Sequence, residues 1–467
     1  MEKLPKRQFE EQKIVDLYKD KVQSDSFKFN VVSDDEVFKL LKDINVSKST
    51  GCDGIAAVFI RDGANVLSCP VTYIVNLSLS KGIVPNDFKL ARVVPLYKKG
   101  DKKFEGNYRP VSILPVFSKV FERIVYNQMY KYLMDHNLIF ENQSGFRSRY
   151  STDTALTSLA DRIKQNTDNG LYTGMVLLDL QKAFDTVDHK ILLSKLKAVG
   201  SEQGVVTWFD SYLSGRNQVV DVNGIMSSPH KVTCGVPQGS ILGPLLFILY
   251  VNDMYSAVTC ELILYADDSA LIVSGDDVEE IQTVLRNELM NVSKWLEANK
   301  LSLHLGKTES ILFGSKSHLK KTDKMEIVCN GNEIKAMESV KYLGARLDQE
   351  LSGNEMGLSV IKRVNKCLKF LYRKADYFST KERKMLCQSL CQPHFDYACN
   401  VWYRSMGKGL KNKLQTAQNK LIRYVLQYDS RQHLEYDDFV KVKYLSVEKR
   451  VDYLNICMMY KIYHGEA

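Results

Sequence analysis

No apolar run in the sequence is long enough to cross a membrane as a helix. The longest, Ile241 to Val251, has eleven residues and is interrupted by Gly243 and Pro244, against roughly 20 needed for a bilayer core. No membrane partner is expected. The leader alternates charges (Glu2, Lys3, Lys6, Arg7, Glu10, Glu11) and lacks the apolar centre of a secretory signal. Ten cysteines are spread from Cys52 to Cys457, without paired spacing over most of their length, which excludes a disulfide scaffold and suits reduced thiols. Internal repeats and low-complexity tracts are also missing. These absences lead us to expect an intracellular chain, in nucleus or cytoplasm.

What is present is ordinary globular material: 467 residues, 45% hydrophobic and 25% charged, enough for two or three domains with a substantial core. The net charge of +9 comes from 64 Lys plus Arg against 55 Asp plus Glu. Its distribution is uneven. Residues 361–430 hold 15 basic and 4 acidic side chains, a net of +11 that leaves −2 for everything else. A basic segment of this kind points to a polyanionic partner.

Hydrophobic periodicity gives an α+β chain with a helical tail. Ser33-Asp34-Asp35-Glu36 has capping-box spacing and opens a helix through Ile44. Val94 to Lys103 and Asn107-Tyr108-Arg109-Pro110 are rich in Pro, Lys and Tyr and read as loops. Met175 to Leu180 is a continuous apolar run broken only by Asp179, the pattern of a buried strand ending in an acid. Helical periods follow at 187–199, 241–254 and 276–299. Leu262–Tyr265 and Ala270–Val273 flank Ala266-Asp267-Asp268-Ser269 as a hairpin with acids at its tip. Short strands are expected over 309–347 and helices from about Gly357 onward.

Acids at strand ends are unusual for stability, because unpaired carboxylates there repel one another and resist desolvation. Hard oxygen donors from two strands suit Mg²⁺. Ordinary turn and capping chemistry for an Asp-Asp pair and for Asp179 accounts for the same spacing, so the spacing alone leaves both readings open.

The wider wording carries a resemblance. Leu178-Asp179-Leu180-Gln181-Lys182-Ala183-Phe184-Asp185-Thr186-Val187-Asp188-His189, then Gly235-Val236-Pro237-Gln238-Gly239-Ser240-Ile241-Leu242-Gly243-Pro244, then Tyr265-Ala266-Asp267-Asp268 resemble motifs A, B and C of the reverse transcriptase of non-LTR (LINE-type, Jockey-like) retrotransposons. Lys48 to Gly54, Asn107 to Ser112, Gln143 to Arg147, Gly306-Lys307-Thr308 (motif D) and Tyr342-Leu343-Gly344 (motif E) extend it. Motif D departs from the usual wording in the run Leu303 to Gly306, which leaves its loop geometry open while Lys307 and Thr308 remain.

The resemblance implies an RNA-directed DNA polymerase shaped as a right hand. It divides the chain into a charged leader (1–32), fingers and upstream extension (33–173), a palm with motifs A to E (174–348; an antiparallel sheet backed by helices), and a basic helical thumb (349–467). Asp179, Asp267 and Asp268 are implied as ligands of two Mg²⁺ ions, with Mn²⁺ as a substitute, and the Leu180 carbonyl completes a site. The reaction implied is addition of a dNTP to a primer 3′-hydroxyl by two-metal phosphoryl transfer. Phe184 is implied beneath the incoming sugar; from its residue type alone it reads as a core aromatic. Gln238 and Gly239 are implied against the template–dNTP pair, Arg109 and Arg147 on the triphosphate, and Lys307 near the leaving pyrophosphate. Lys362, Arg363, Lys366, Lys369, Arg373 and Lys374 are implied along the duplex of RNA template and DNA primer.

Two other readings share these residues: an inactive RNA-binding scaffold derived from such a polymerase, and a maturase of the group II intron type. Intact acids argue against the first and the Phe-Asp-Thr-Val-Asp-His wording against the second. The endonuclease that such elements carry upstream is expected to be missing. Cys387, Cys391, His394 and Cys399 mimic a zinc knuckle, but their spacing in a helix-periodic segment favours packed thiols.

Overall fold

The computed structural model describes residues 9–22, 26–322 and 325–466. The first eight residues of the leader lie outside them. The chain forms two compact units. One comprises the described residues through Phe146 with Leu180–Thr259 and Asn291–His304; the other comprises Arg147–Asp179, Cys260–Met290 and Leu305 onward.

The first unit is mostly helical around a five-stranded sheet. Strand β1 (Leu90–Tyr97) pairs antiparallel with β2 (Tyr108–Ile113) and parallel with β4 (Asn217–Val222), and β4 also carries the short β5 (Ile225–Met226) and β6 (His230–Lys231). This corrects the loop expectation for 94–97 and 108–110. The prolines there do not prevent a ladder: Pro95 stands opposite Pro110, and because the Lys98 N–H bonds the Asn107 carbonyl, alternation along the antiparallel pair makes the proline pair a non-hydrogen-bonded one that needs neither N–H. The basic residues Lys98 to Lys103 form the hairpin connection instead.

The leader is also more structured than its charge pattern indicates. Glu11–Val22 is a helix whose Ile14 and Tyr18 are buried, and the Tyr18 hydroxyl accepts a hydrogen bond from Asn252 at 2.6 Å. An i, i+4 apolar pair is enough to dock a short helix. The expected cap on the next helix, Asp34–Lys42, is present, with Ser33 Oγ accepting from the Glu36 N–H at 3.3 Å.

The second unit is built on a six-stranded sheet in the order β10-β11-β9-β3-β8-β7. These are β3 (Tyr172–Asp179), β7 (Glu261–Tyr265), β8 (Asp268–Gly275), β9 (Glu309–Phe313), β10 (Ile327–Cys329) and β11 (Asn332–Ala336). Central β3 is flanked by β8 and β9, both antiparallel, which explains why its sequence is apolar almost throughout. Gly174 in β3 is required by close packing: a Cβ there would lie 2.5 Å from Ile281 and 2.8 Å from Leu285. These residues belong to the helix Val278–Ala298, whose apolar positions 278, 281, 285, 289, 292 and 296 are buried at helical spacing.

A separate hairpin, β12 (Ser339–Tyr342) with β13 (Ala345–Asp348), precedes the helical tail. The tail begins with Asn354–Tyr372 and includes Thr380–Leu390 and Lys408–Leu426. Cys387, Cys391 and Cys399 are buried in its apolar cluster with Phe395 and Trp402. Burial pushes the Cys399 thiol up to about 12, which favours the protonated, packing form over a thiolate. Among the described residues no helix is long and apolar enough to cross a membrane.

Candidate active site

The acids of the second unit are brought together by strand register. In the β3–β8 ladder Asp179 stands directly opposite Asp268, which places the two Cα atoms about 5 Å apart with side chains on one face. Asp268 is also paired with Tyr265 across the β7–β8 hairpin, so the connection is only Ala266-Asp267. Such two-residue turns need positive φ, and Ala266 adopts φ 57°. A non-glycine residue held there costs on the order of 1 kcal/mol. The turn therefore accepts backbone strain to hold Asp267 beside the Asp179–Asp268 pair in sequence.

The electrostatics are those of a cluster of like charges that is only partly compensated. Burial, then the charges of Asp267 and Asp179, push the Asp268 carboxyl up to about 6, against a smaller opposing pull from Lys341. Like charges directly opposite on a sheet repel. Asp267 and Asp268 are exposed and the Asp179 side chain is 42% exposed, so solvent reaches all three. Lys307, in the turn before β9, places its Nζ 3.4 Å from Asp179 Oδ2. The Tyr342 hydroxyl is buried without a hydrogen-bond partner among the described residues, and burial followed by the Asp268 charge raises its pKa.

The cluster fits a divalent cation by its chemistry: hard carboxylate oxygens, mutual repulsion that a cation relieves, and access to water. Among the described residues, however, no three His, Cys, Asp or Glu side chains are gathered closely enough to hold a metal between them. Arg147 also belongs to this unit; its guanidinium stacks on Tyr150 at 4.2 Å.

In the first unit two loops are zipped together. Phe184 lies in a 3-10 turn, Ala183–Asp185, and stacks on Phe247 with centroids 4.4 Å apart, while Phe146 meets it edge-on at 6.2 Å. The Val236 N–H donates to the Phe184 carbonyl at 2.8 Å, and the Ser112 N–H donates to the Gln238 carbonyl at 2.7 Å. Gln238 Nε2 donates to Asp185 Oδ1 at 2.8 Å, which leaves its Oε1 as the acceptor end. Gly239 has φ 124° and its backbone lies against the Ser112 carbonyl, where a Cβ would clash. Arg109 is exposed on β2 and Leu180 is buried in a bridge to Leu303.

One residue escaped the sequence reading. Glu122, buried in the helix Val116–Asp135, accepts from the Ile241 N–H at 2.6 Å and from the Tyr212 hydroxyl at 3.1 Å. It thereby caps the apolar helix Leu242–Val251 that follows Gln238 and Gly239. Burial raises its pKa, and the backbone N–H of Ile241 lowers it again. The available signal was a lone acid on the apolar face of its helix.

Comparison with known proteins agrees with the motifs. Residues 97–347, more than half of the chain, match the reverse transcriptase (RNA-dependent DNA polymerase) family. A probable RNA-directed DNA polymerase from transposon BS of Drosophila melanogaster is 27% identical over 414 residues, covering 84% of this chain and 44% of that protein. The RNA-directed DNA polymerase from mobile element jockey of Drosophila funebris is 27% identical over 404 residues, covering 84% and 43%. A probable RNA-directed DNA polymerase from transposon X-element of Drosophila melanogaster is 26% identical, with the same coverage. The chain spans less than half the length of these curated relatives. By the family match and by its motifs in their order, it belongs to the reverse transcriptases.

Proposed function

We propose that this chain is the polymerising part of a retrotransposon protein and copies an RNA template by adding dNTPs to a DNA primer 3′-hydroxyl. The observation that carries the reading is the opposed pair Asp179 and Asp268, with Asp267 in the adjoining strained turn, inside the segment that matches the family. In this reading 33–173 act as fingers, 174–348 as palm and 349–467 as thumb.

Asp179, Asp267 and Asp268 would hold Mg²⁺, or Mn²⁺ in its place. Bound as a pair, such ions supply Lewis acidity at the attacking hydroxyl and at the leaving phosphate. The protein's own groups do the rest. Lys307, an ammonium beside Asp179, supplies a proton or positive charge to the departing pyrophosphate. Phe184, fixed from behind by Phe247, underlies the sugar and disfavours a 2′-hydroxyl. Gln238 and Gly239 meet the base pair being formed, the Leu180 carbonyl adds an oxygen donor, and Arg109 and Arg147 bind triphosphate oxygens. Lys362, Arg363, Lys366, Lys369, Arg373 and Lys374 are all exposed and contact nucleic-acid phosphates.

Primer extension on an RNA template with Mg²⁺ and dNTPs tests this. The unmodified chain is expected to extend the primer, and Asp267→Ala to abolish extension without loss of fold. Failure of the unmodified chain to incorporate any nucleotide would favour the RNA-binding scaffold.

A further inference from the structure

The exposed face of the helix Asn354–Tyr372 holds a residue that phosphate contact does not explain. Lys362, Lys366, Lys369 and Arg373 recur there at helical spacing and are exposed. Among them stands Phe370, 62% exposed. Arg363 and Lys366 precede it by two turns and one turn, Arg373 caps the helix one turn after it, and Lys374 follows that cap. Farther on, Tyr377 is 78% exposed, and Lys374 Nζ lies 5.6 Å from its ring centroid. Tyr372 differs from both, because its ring packs edge-on against Tyr424 at 4.9 Å. From 362 to 384 the chain carries nine Lys or Arg and two acids.

A duplex offers this face only phosphates and sugars, since its bases are stacked inside. Exposed aromatic rings gain nothing from that. An unpaired base presents an open π-face, and aromatic rings set among cations are the combination that binds single strands. We propose that this face holds single-stranded RNA, one base stacked on Phe370 and another on Tyr377, with Lys366, Arg373 and Lys374 on the phosphates. The inference rests on the polymerase reading and deepens it: the ligand is template RNA outside the primer duplex.

The test uses the full chain and two labelled probes, an unstructured 12-nucleotide RNA and an RNA–DNA duplex of the same length, titrated at fixed salt. Phe370→Leu and Tyr377→Leu keep apolar bulk but remove the ring. Each is expected to weaken single-strand binding by about tenfold and to leave duplex binding within twofold. Phe370→Tyr is expected to retain affinity. Replacing single nucleotides by abasic ones should reproduce the loss at discrete positions. Both side chains are exposed, so a thermal melt matching the parent confirms that the variants fold. Single-strand affinity within twofold of the parent in both leucine variants overturns the proposal, as does an equal loss on both probes. Primer extension by the parent, run alongside, separates the two readings. Incorporation without a ring effect sinks only this inference. A ring effect without incorporation supports RNA binding by this face and sinks the polymerase reading.

Discussion

Asp253 in the first unit and Asp268 in the second are both acids within two residues of an apolar run, yet they are treated in opposite ways. Asp253 is nearly inaccessible and both its oxygens are used: Lys195 Nζ donates to Oδ1 at 2.5 Å and Trp295 Nε1 to Oδ2 at 3.0 Å. Lys195 also donates to the Tyr250 carbonyl and lies over the Tyr250 and Trp295 rings. Burial lowers the Lys195 pKa, and the Asp253 charge pulls it back up. Asp268 instead faces Asp179 across a ladder and stays open to solvent. The first acid is satisfied by the fold. Under the proposed function the second would be left for a metal ion, and this difference in partners is what would separate a structural acid from a site acid where sequence spacing does not.

The comparison breaks if the wrong acid controls the wrong property. Asp179→Asn or Asp267→Ala is expected to reduce nucleotide incorporation by about a thousandfold or more, consistent with several kcal/mol of transition-state stabilisation, while the urea midpoint hardly moves. Asp253→Ala is expected to destabilise by about 3–5 kcal/mol, because it strands the buried Lys195 ammonium. Denaturant unfolding measures it, and a loss under 1 kcal/mol would show that the pair is not structural.

A smaller effect sharpens the same contrast. Mg²⁺ at a hundredfold excess over its dissociation constant should stabilise the parent by about 2.7 kcal/mol, read as a rise in melting temperature. Asp179→Asn combined with Asp268→Asn should remove that response, whereas Asp253→Asn, though less stable, should keep it.

The smallest effect concerns an acid of a third kind. Glu382 is exposed but closes a capping box: Ser379 donates to it from backbone and hydroxyl, and Ser379 Oγ accepts from the Glu382 N–H. The backbone N–H of Ser379, then its hydroxyl, hold the Glu382 carboxyl below the usual range. A depressed carboxylate contributes stability that is present above its unfolded pKa of about 4.3 and is lost as pH falls through the folded value. Amide protection in the first turn of Thr380–Leu390, measured against the intrinsic exchange rate at each pH, should therefore fall below about pH 4 in the parent. Glu382→Ala should show the lower protection already at neutral pH.

Much of the sheet in the second unit was legible because a strand buried on both faces leaves an unbroken apolar run, as in β3, and because a hairpin this short leaves its turn residues adjacent in sequence. The acids at Asp179 and at the hairpin tip could be read, but the register of Asp179 against Asp268 could not, since it is set by the pairing of β3 with β8, two strands far apart in sequence. β1 and β2 were misread because proline and lysine are loop signals locally, and only the pairing shows that the two prolines share a rung. Glu122, Lys195 and Asp253 left even less trace: their partners lie 119, 55 and 58 residues away along the chain, and no local pattern encodes such meetings.

The shared proline rung has a further consequence. β2 ends the first sheet's order, and an edge strand with regular unpaired N–H and C=O groups is a template for joining other chains. Pro110 removes a donor from that edge, and the exposed cation Arg109 stands beside it. The hairpin can therefore project its lysines without inviting another strand to add on, a safeguard against aggregation.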